Sequence, residues 1–133
     1  MKISFSTLAC PDYSWVDIYS MAKDLGFGGI EIRGLGQDIF AVHARPFTDE
    51  RLPKTLEKLR SLNLEIPCLA SGCGLKYKED FDKNISEVTQ YIVLAKKLGT
   101  PYIRVLGDRY PEPQGEVDDD FVAEALKLLG TIA

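Results

Sequence analysis

The sequence predicts an α/β fold built from four βα units, with parallel strands and helices on the outer face of the sheet. Three observations carry this. Short strand-type runs alternate with helical apolar patterns along the whole chain. Strands start near residues 2, 29, 65 and 102, so the later units are about 36 residues long, and such regular alternation favours parallel strands with right-handed crossovers. Helix-to-strand connections are about two to four residues, whereas strand-to-helix connections run roughly seven, fourteen, ten and ten, which places the chemistry at the C-terminal ends of the strands. That asymmetry suits a (β/α) barrel and an open doubly wound sheet equally.

The elements follow in order. The first strand is Lys2 to Ser6. Ser14 with Asp17 three residues later forms a capping box, and Trp15, Ile18, Tyr19, Ala22 and Leu25 follow helical spacing. Gly26, Gly28 and Gly29 punctuate the helix end. The second strand is Ile30 to Arg33, followed by an irregular stretch from Gly34 to Phe47. Thr48 is placed to cap a helix carrying Leu52, Leu56, Leu59 and Leu62, with Pro53 near its start and Asn63 at its stop. The third strand spans Glu65 to Ala70, weakened by Pro67, and Ser71 to Gly74 reads as loop. A helix from Asp80 or Asp82 carries Ile85, Val88, Ile92, Ala95 and Leu98, ended by Gly99-Thr100-Pro101. The fourth strand is Tyr102 to Leu106 and the loop after it Gly107 to Gly115. Asp118, Asp119 and Asp120 suit the N-terminus of a last helix with Phe121, Val122, Ala125, Leu126, Leu129 and Ile132 as its apolar stripe.

Composition narrows the function. The chain has 133 residues, 45% hydrophobic and 27% charged, which suffices for a packed core and excludes a disordered chain. A net charge of −4 argues against nucleic acid as the main partner. No apolar run approaches the roughly 18 residues of a membrane span. The polar start lacks a signal-peptide core, and three cysteines suggest a reducing compartment, so the expectation is a cytoplasmic protein.

Four residues stand out as candidate substrate contacts. Glu31 and Arg33 lie two apart and share one side of the second strand, opposite Ile30 and Ile32. Arg104 alternates in the same way between Ile103 and Val105. It needs a carboxylate or an anionic ligand as partner, with Glu31 the intramolecular candidate. A plainer reading makes these three a structural ion-pair network. His43, the one histidine, sits in the loop after the second strand, where it is solvent-exposed or touches substrate. Cys10, Cys68 and Cys73 fall near strand ends and read as small buried thiols, because Cys68-x4-Cys73 matches no zinc spacing. Gly34-Leu35-Gly36 and Gly72-Cys73-Gly74 lack the third glycine of a dinucleotide loop. Asp108 is the one well-placed carboxylate after the fourth strand, too little for a metal site with one histidine.

The segments KISFSTLACPDYSW, LGFGGIEIRGL and AKKLGTPYIRVLGD resemble the sugar phosphate isomerase/epimerase family, the xylose isomerase-like TIM barrels related in fold to endonuclease IV. The resemblance covers essentially the whole chain and implies a (βα)4 half of a TIM (β/α)8 barrel, read here as one partial domain over residues 1–133. It implies a small-molecule sugar or sugar phosphate as partner and a divalent metal, Mn, Mg, Co or Zn, in the complete barrel. The family's metal ligands and its acid–base carboxylates come mainly from the later strands, so no metal or catalytic residue carries over to this chain. Glu31, Arg33, His43 and Arg104 match the first-half pocket surface, with substrate binding as their implied role. A typical barrel has about 250 residues, so the expectation is an N-terminal half, inactive as an isolated monomer. The alternative is a homodimer in which two half-barrels complete a sugar- or anion-binding module without catalysis. A repair nuclease is disfavoured by the negative charge and the missing zinc ligands.

Overall fold

The computed structural model describes residues 1–107 and 117–133. Its elements run β1 (Ser4–Ser6), α1 (Trp15–Asp24), β2 (Gly29–Glu31), α2 (Leu52–Ser61), β3 (Cys68–Gly74), α3 (Phe81–Leu98), β4 (Tyr102–Leu106) and α4 (Asp119–Ile132). Asp108 and most of the expected loop after β4 lie outside the described residues. Among the described residues, no helix is long and apolar enough to cross a membrane.

Every strand pair is parallel. β1 lies beside β2 with Phe5 opposite Ile30 and Ser6 opposite Glu31. β3 lies beside β4 with Leu69 opposite Ile103 and Ala70 opposite Arg104. A shorter seam joins β2 to β3. The amides of Ile30 and Ile32 donate to the carbonyls of Glu65 and Cys68 at 2.9 and 3.1 Å, and the Ala70 amide donates back to the Ile32 carbonyl at 2.8 Å. The spatial order is therefore β1-β2-β3-β4, the sequence order. A doubly wound sheet reverses its strand order at a switch point, whereas a barrel wall advances strand by strand. The fold is half of such a wall.

Close packing at the seam explains two sequence features. Pro67 has no N–H to give, so pairing skips from Glu65, which bridges Gly29, to Leu69, which bridges Ile32. A Cβ on Gly29 would stand 2.7 Å from Ser4 Oγ and 3.0 Å from the Glu65 carbonyl and Pro67 Cδ. Only glycine fits where these segments converge. On the outer side, Ile30, Ile32 and Leu69 are fully buried against Ile18 and Ala22 of α1, Leu59 of α2 and Tyr91 of α3. A second cluster joins Val88 and Ile92 of α3 to Ala125 and Leu129 of α4.

The helix ends follow local chemistry. Ser14 Oγ accepts from the Asp17 amide at 3.2 Å, and the Asp17 carboxylate accepts from the Ser14 amide at 3.1 Å, completing the expected capping box. Asp118 accepts from the Phe121 amide at 3.0 Å at the start of α4. Asn63 stops α2 in the left-handed region, with φ 55°.

Four expectations are corrected. Thr48 does not cap α2. Its carbonyl accepts from the amides of Arg51 and Leu52, both at 2.9 Å, and the helix starts at Leu52 with Pro53 second, where its missing N–H is harmless. Strands β1 and β2 differ from expectation: β1 lacks Lys2 and Ile3 at its start, although the Gly28 amide still donates to the Ile3 carbonyl at 2.8 Å, and β2 runs Gly29–Glu31 because the chain bends after Ile32. Residues 71–74 belong to β3, not to a loop. The register passes from Ala70–Arg104 to Gly74–Leu106, a bulge with extra residues on β3. Ser71 Oγ donates to the Arg104 carbonyl and Asn84 Nδ2 to the Gly74 carbonyl, each at 2.8 Å, which pins the bulge. Finally, Cys68 opens β3 rather than ending it.

Thr100 is nearly buried, at 9% exposure, beside Ile103 and Leu129, and its Oγ1 has no hydrogen-bond partner. An unsatisfied buried hydroxyl costs about 1–3 kcal/mol. Thr100→Val keeps the shape and removes the hydroxyl, so chemical denaturation should show a gain of about 1 kcal/mol; a loss of stability would mean the hydroxyl is satisfied.

Candidate functional site

Period-two alternation along each strand places Glu31 on the concave side of the sheet, with Ile30 and Ile32 turned outward into the core. Its carboxylate lies beside the Cys68 thiol, and the Arg104 side chain acts on the same thiol from β4. Burial pushes the Cys68 thiol above its usual range, and the neighbouring Glu31 charge pushes it further, while the Arg104 backbone and charge oppose them. Cys68 is thus the pivot between Glu31 and Arg104.

Arg33 takes a different direction. Thr7, nearly buried at the end of β1, accepts from the Arg33 amide at 3.0 Å and from the Gly34 amide at 3.4 Å. This fixes the exit of β2. The guanidinium then lies over Gly72 in the β3 bulge, where a Cβ would stand 3.1 Å from Nη2. Nη1 reaches the Ile39 carbonyl at a long 3.5 Å. Arg33 lines a groove of about 470 Å³ with Phe40, Gly72, Lys83, Ser86 and Glu87. Two cations and one carboxylate therefore face a cleft between the β2–α2 connection and α3 whose floor also carries Ile39 and Phe40.

Beneath the groove, Cys73 and Tyr91 are buried. Burial, reinforced by the adjacent Glu87 carboxylate, pushes the Cys73 thiol up to about 12, against the opposing influence of Ser71 and Arg33. The Tyr91 hydroxyl is also raised, chiefly by burial, and accepts from the Ala41 amide at 3.3 Å.

The four sequence-predicted contacts thus separate into groups. Glu31 and Arg104 meet at Cys68, Arg33 turns toward α3, and His43 stands apart. His43 is exposed in the Ala41–His43 turn, edge-on to Phe40 at 4.7 Å between ring centres, and does not line the Arg33 groove. The expected Glu31 ion pairs are corrected: among the described residues no contact within 4.0 Å joins Glu31 to Arg33 or Arg104. Arg104 is exposed, so solvent replaces the carboxylate partner that a closed interior would require.

Sequence reasoning missed Thr7, Gly72, Lys83 and Glu87. Glu87 carries a usable signal, since it falls between the apolar positions Ile85 and Val88 on a helix facing the loop side. The described residues do not fit a metal cage. Among them no three His, Cys, Asp or Glu side chains converge. No step through a metal follows from these residues.

A family model described as a xylose isomerase-like TIM barrel matches residues 19–133. Comparison with curated proteins finds no match. Among solved structures, the probable 3-DHS dehydratase AsbF from Bacillus anthracis, involved in petrobactin synthesis, superposes with a TM-score of 0.74 and 25% identity, covering 99% of this chain and 49% of its own. A xylose isomerase domain protein from Planctomyces limnophilus superposes with a TM-score of 0.68 and 16% identity, covering 98% of this chain and 49% of its own. The chain spans about half the length of both.

The raised Cys73 thiol has a direct chemical consequence, because alkylation proceeds through the thiolate. With iodoacetamide at pH 8, Cys73 should stay unmodified in the folded protein and become alkylated, along with Cys10 and Cys68, after denaturation. Mass spectrometry of peptides reads this; native labelling of Cys73 at the denatured rate would refute the buried position.

Proposed function

The chain belongs to the xylose isomerase-like TIM barrel family, and from that premise we propose that it forms the substrate-binding wall of a sugar or sugar phosphate isomerase or epimerase. The observation that supports this most is the placement of Glu31 and Arg104 on the concave side of the sheet, with Arg33 at its upper edge. These are the positions where a barrel presents ligand contacts.

Each group has a share in binding. Arg guanidinium groups bind phosphate or carboxylate oxygens through paired N–H donors. Among the described residues the Arg33 guanidinium bonds only to the Ile39 carbonyl, at a long 3.5 Å, which leaves donors for a ligand. Arg104 is free of an ion pair among the described residues and reaches the same concave side. Glu31 accepts hydrogen bonds from the hydroxyls of a polyol, and Lys83 adds positive charge at the rim. A ligand carrying hydroxyls and one anionic group satisfies this set.

The reaction of the complete site is proton transfer between adjacent carbons of a keto- or aldo-sugar. Such chemistry needs a matched base and stabilisation of the developing oxyanion. In this proposal the acid–base carboxylates and a divalent metal belong to residues other than those described, and this chain's own part is to bind and orient. AsbF carries the name of a dehydratase, and binding of an anionic polyol by this wall is common to either reaction.

The test is a titration of isotope-labelled protein with a ketopentose and its terminal phosphate ester, followed by NMR. The phosphate ester should perturb Glu31, Arg33 and Arg104, and Arg33→Met should weaken it about tenfold or more, from loss of charge-assisted hydrogen bonds worth about 1.5–3 kcal/mol. Shifts confined to the outer helices, or none with either ligand, would refute the assignment.

A further inference from the structure

We propose that the outer groove between α1 and α2 docks an acidic segment of a partner protein, one that carries an aromatic or aliphatic side chain among its carboxylates. The inference goes beyond the substrate reading and does not rest on it, because the groove lies on the helical outside of the sheet. α1 and α2 are consecutive helices over neighbouring strands, so in a barrel they stay side by side whatever follows β4.

The floor of the groove is apolar and fixed. Trp15, Val16 and Tyr19 of α1 and Pro46 line a space of about 340 Å³. Trp15 is held edge-on between Tyr19 and the buried Phe47, with ring centres 5.7 Å apart on both sides. Val16 stays 55% exposed. The space suits one inserted side chain, and the rigid indole offers it contact area at little entropic cost.

The rim is basic. Arg45, Arg51, Lys54 and Lys58 line the same groove and are exposed. Arg51 meets only the neighbouring Glu50, at 4.0 Å. Arg45, Lys54 and Lys58 have no ion pair among the described residues. Lys58 instead stands over the Tyr19 ring, 5.8 Å from its centre. Like charges three and four residues apart destabilise a helix, and Arg51 and Lys54 also oppose the positive end of α2, which has no acidic residue in its first turn. Bound carboxylates offset both costs.

Charge complementarity selects the occupant. The whole chain has a net charge of −4, which repels an extended polyanion or an anionic bilayer. A short acidic segment senses chiefly the four cations within a screening length of about 8 Å. The apolar floor between those cations selects a segment with an anchor rather than carboxylates alone.

Trp15 is the chain's one tryptophan and lines the groove, so its fluorescence reports occupancy. The probes are a short peptide of glutamates around one phenylalanine, its lysine counterpart, and phosphatidylserine vesicles. The acidic peptide should shift the emission and saturate, with affinity falling as salt rises; the lysine peptide should do neither. Lys54→Glu and Lys58→Glu should each weaken the acidic peptide about tenfold, whereas Lys127→Glu on α4 should leave it unchanged. Lys54→Glu places a carboxylate at the positive end of α2, so its melting temperature should hold or rise while binding falls. That split separates lost docking from lost folding. No saturable response to the acidic peptide, an equal response to the lysine peptide, a response to vesicles alone, or binding indifferent to both groove substitutions would overturn the proposal.

Discussion

The seam between β2 and β3 is the contact on which the rest of the structure depends. Each of the two strand pairs, β1 with β2 and β3 with β4, is small, and isolated two-stranded sheets are marginal in water. Four backbone hydrogen bonds, donated by the amides of Ile30, Ile32, Glu65 and Ala70, turn two ribbons into one four-stranded wall. Close approach at Gly29 makes that possible, and Pro67 limits how far the pairing extends. Once the wall is continuous, alternation does the sorting. Ile30, Ile32 and Leu69 turn to one side and bury under the helices, and Glu31, Cys68 and Arg104 turn to the other.

The seam also sets the register across which the site is assembled. Ile32 opposite Leu69 brings Glu31 level with Cys68, and Ala70 opposite Arg104 brings Arg104 level with the next concave position along β3. A one-residue slip would turn Cys68 outward and separate Glu31 from Arg104. The bulge over residues 71–74 then bends β3 so that Gly72 lies under the Arg33 guanidinium. Thr7 holds the other end by accepting from the Arg33 amide. The candidate site is thus fixed by backbone geometry and by side chains that tie strand ends together, more than by ion pairs among its own charges.

Much of this is legible in the sequence, and the exceptions have physical reasons. The capping box at Ser14 and the cap at Asp118 are local motifs whose partners lie three residues away, so sequence shows both ends of the interaction. The alternation that puts Glu31 and Arg104 on one side is equally local. By contrast, the stretch from residue 71 to 74 carries two glycines and reads as loop, because the hydrogen bonds that hold it as strand come from Asn84 and from the carbonyl of Arg104, 10 and 33 residues away. Thr48 has the right residue type for a cap, but Pro46 and Pro53 around it favour a tighter turn that uses its carbonyl instead. Arg33 follows the expected strand, yet its direction depends on Gly72 and on the turn at Ile39, which no spacing in the sequence encodes. Pairing of Glu31 with Arg104 presumes a closed interior, and the open concave side leaves both to solvent.

Native-state hydrogen exchange tests the continuous wall most directly. The amides of Ile30, Ile32 and Ala70 donate across the seam, so they should exchange only through global opening, as slowly as amides within the β3–β4 pair. Rapid exchange at these three positions, with protection retained elsewhere in the strands, would show two separate ribbons and contradict the single wall on which the site is built.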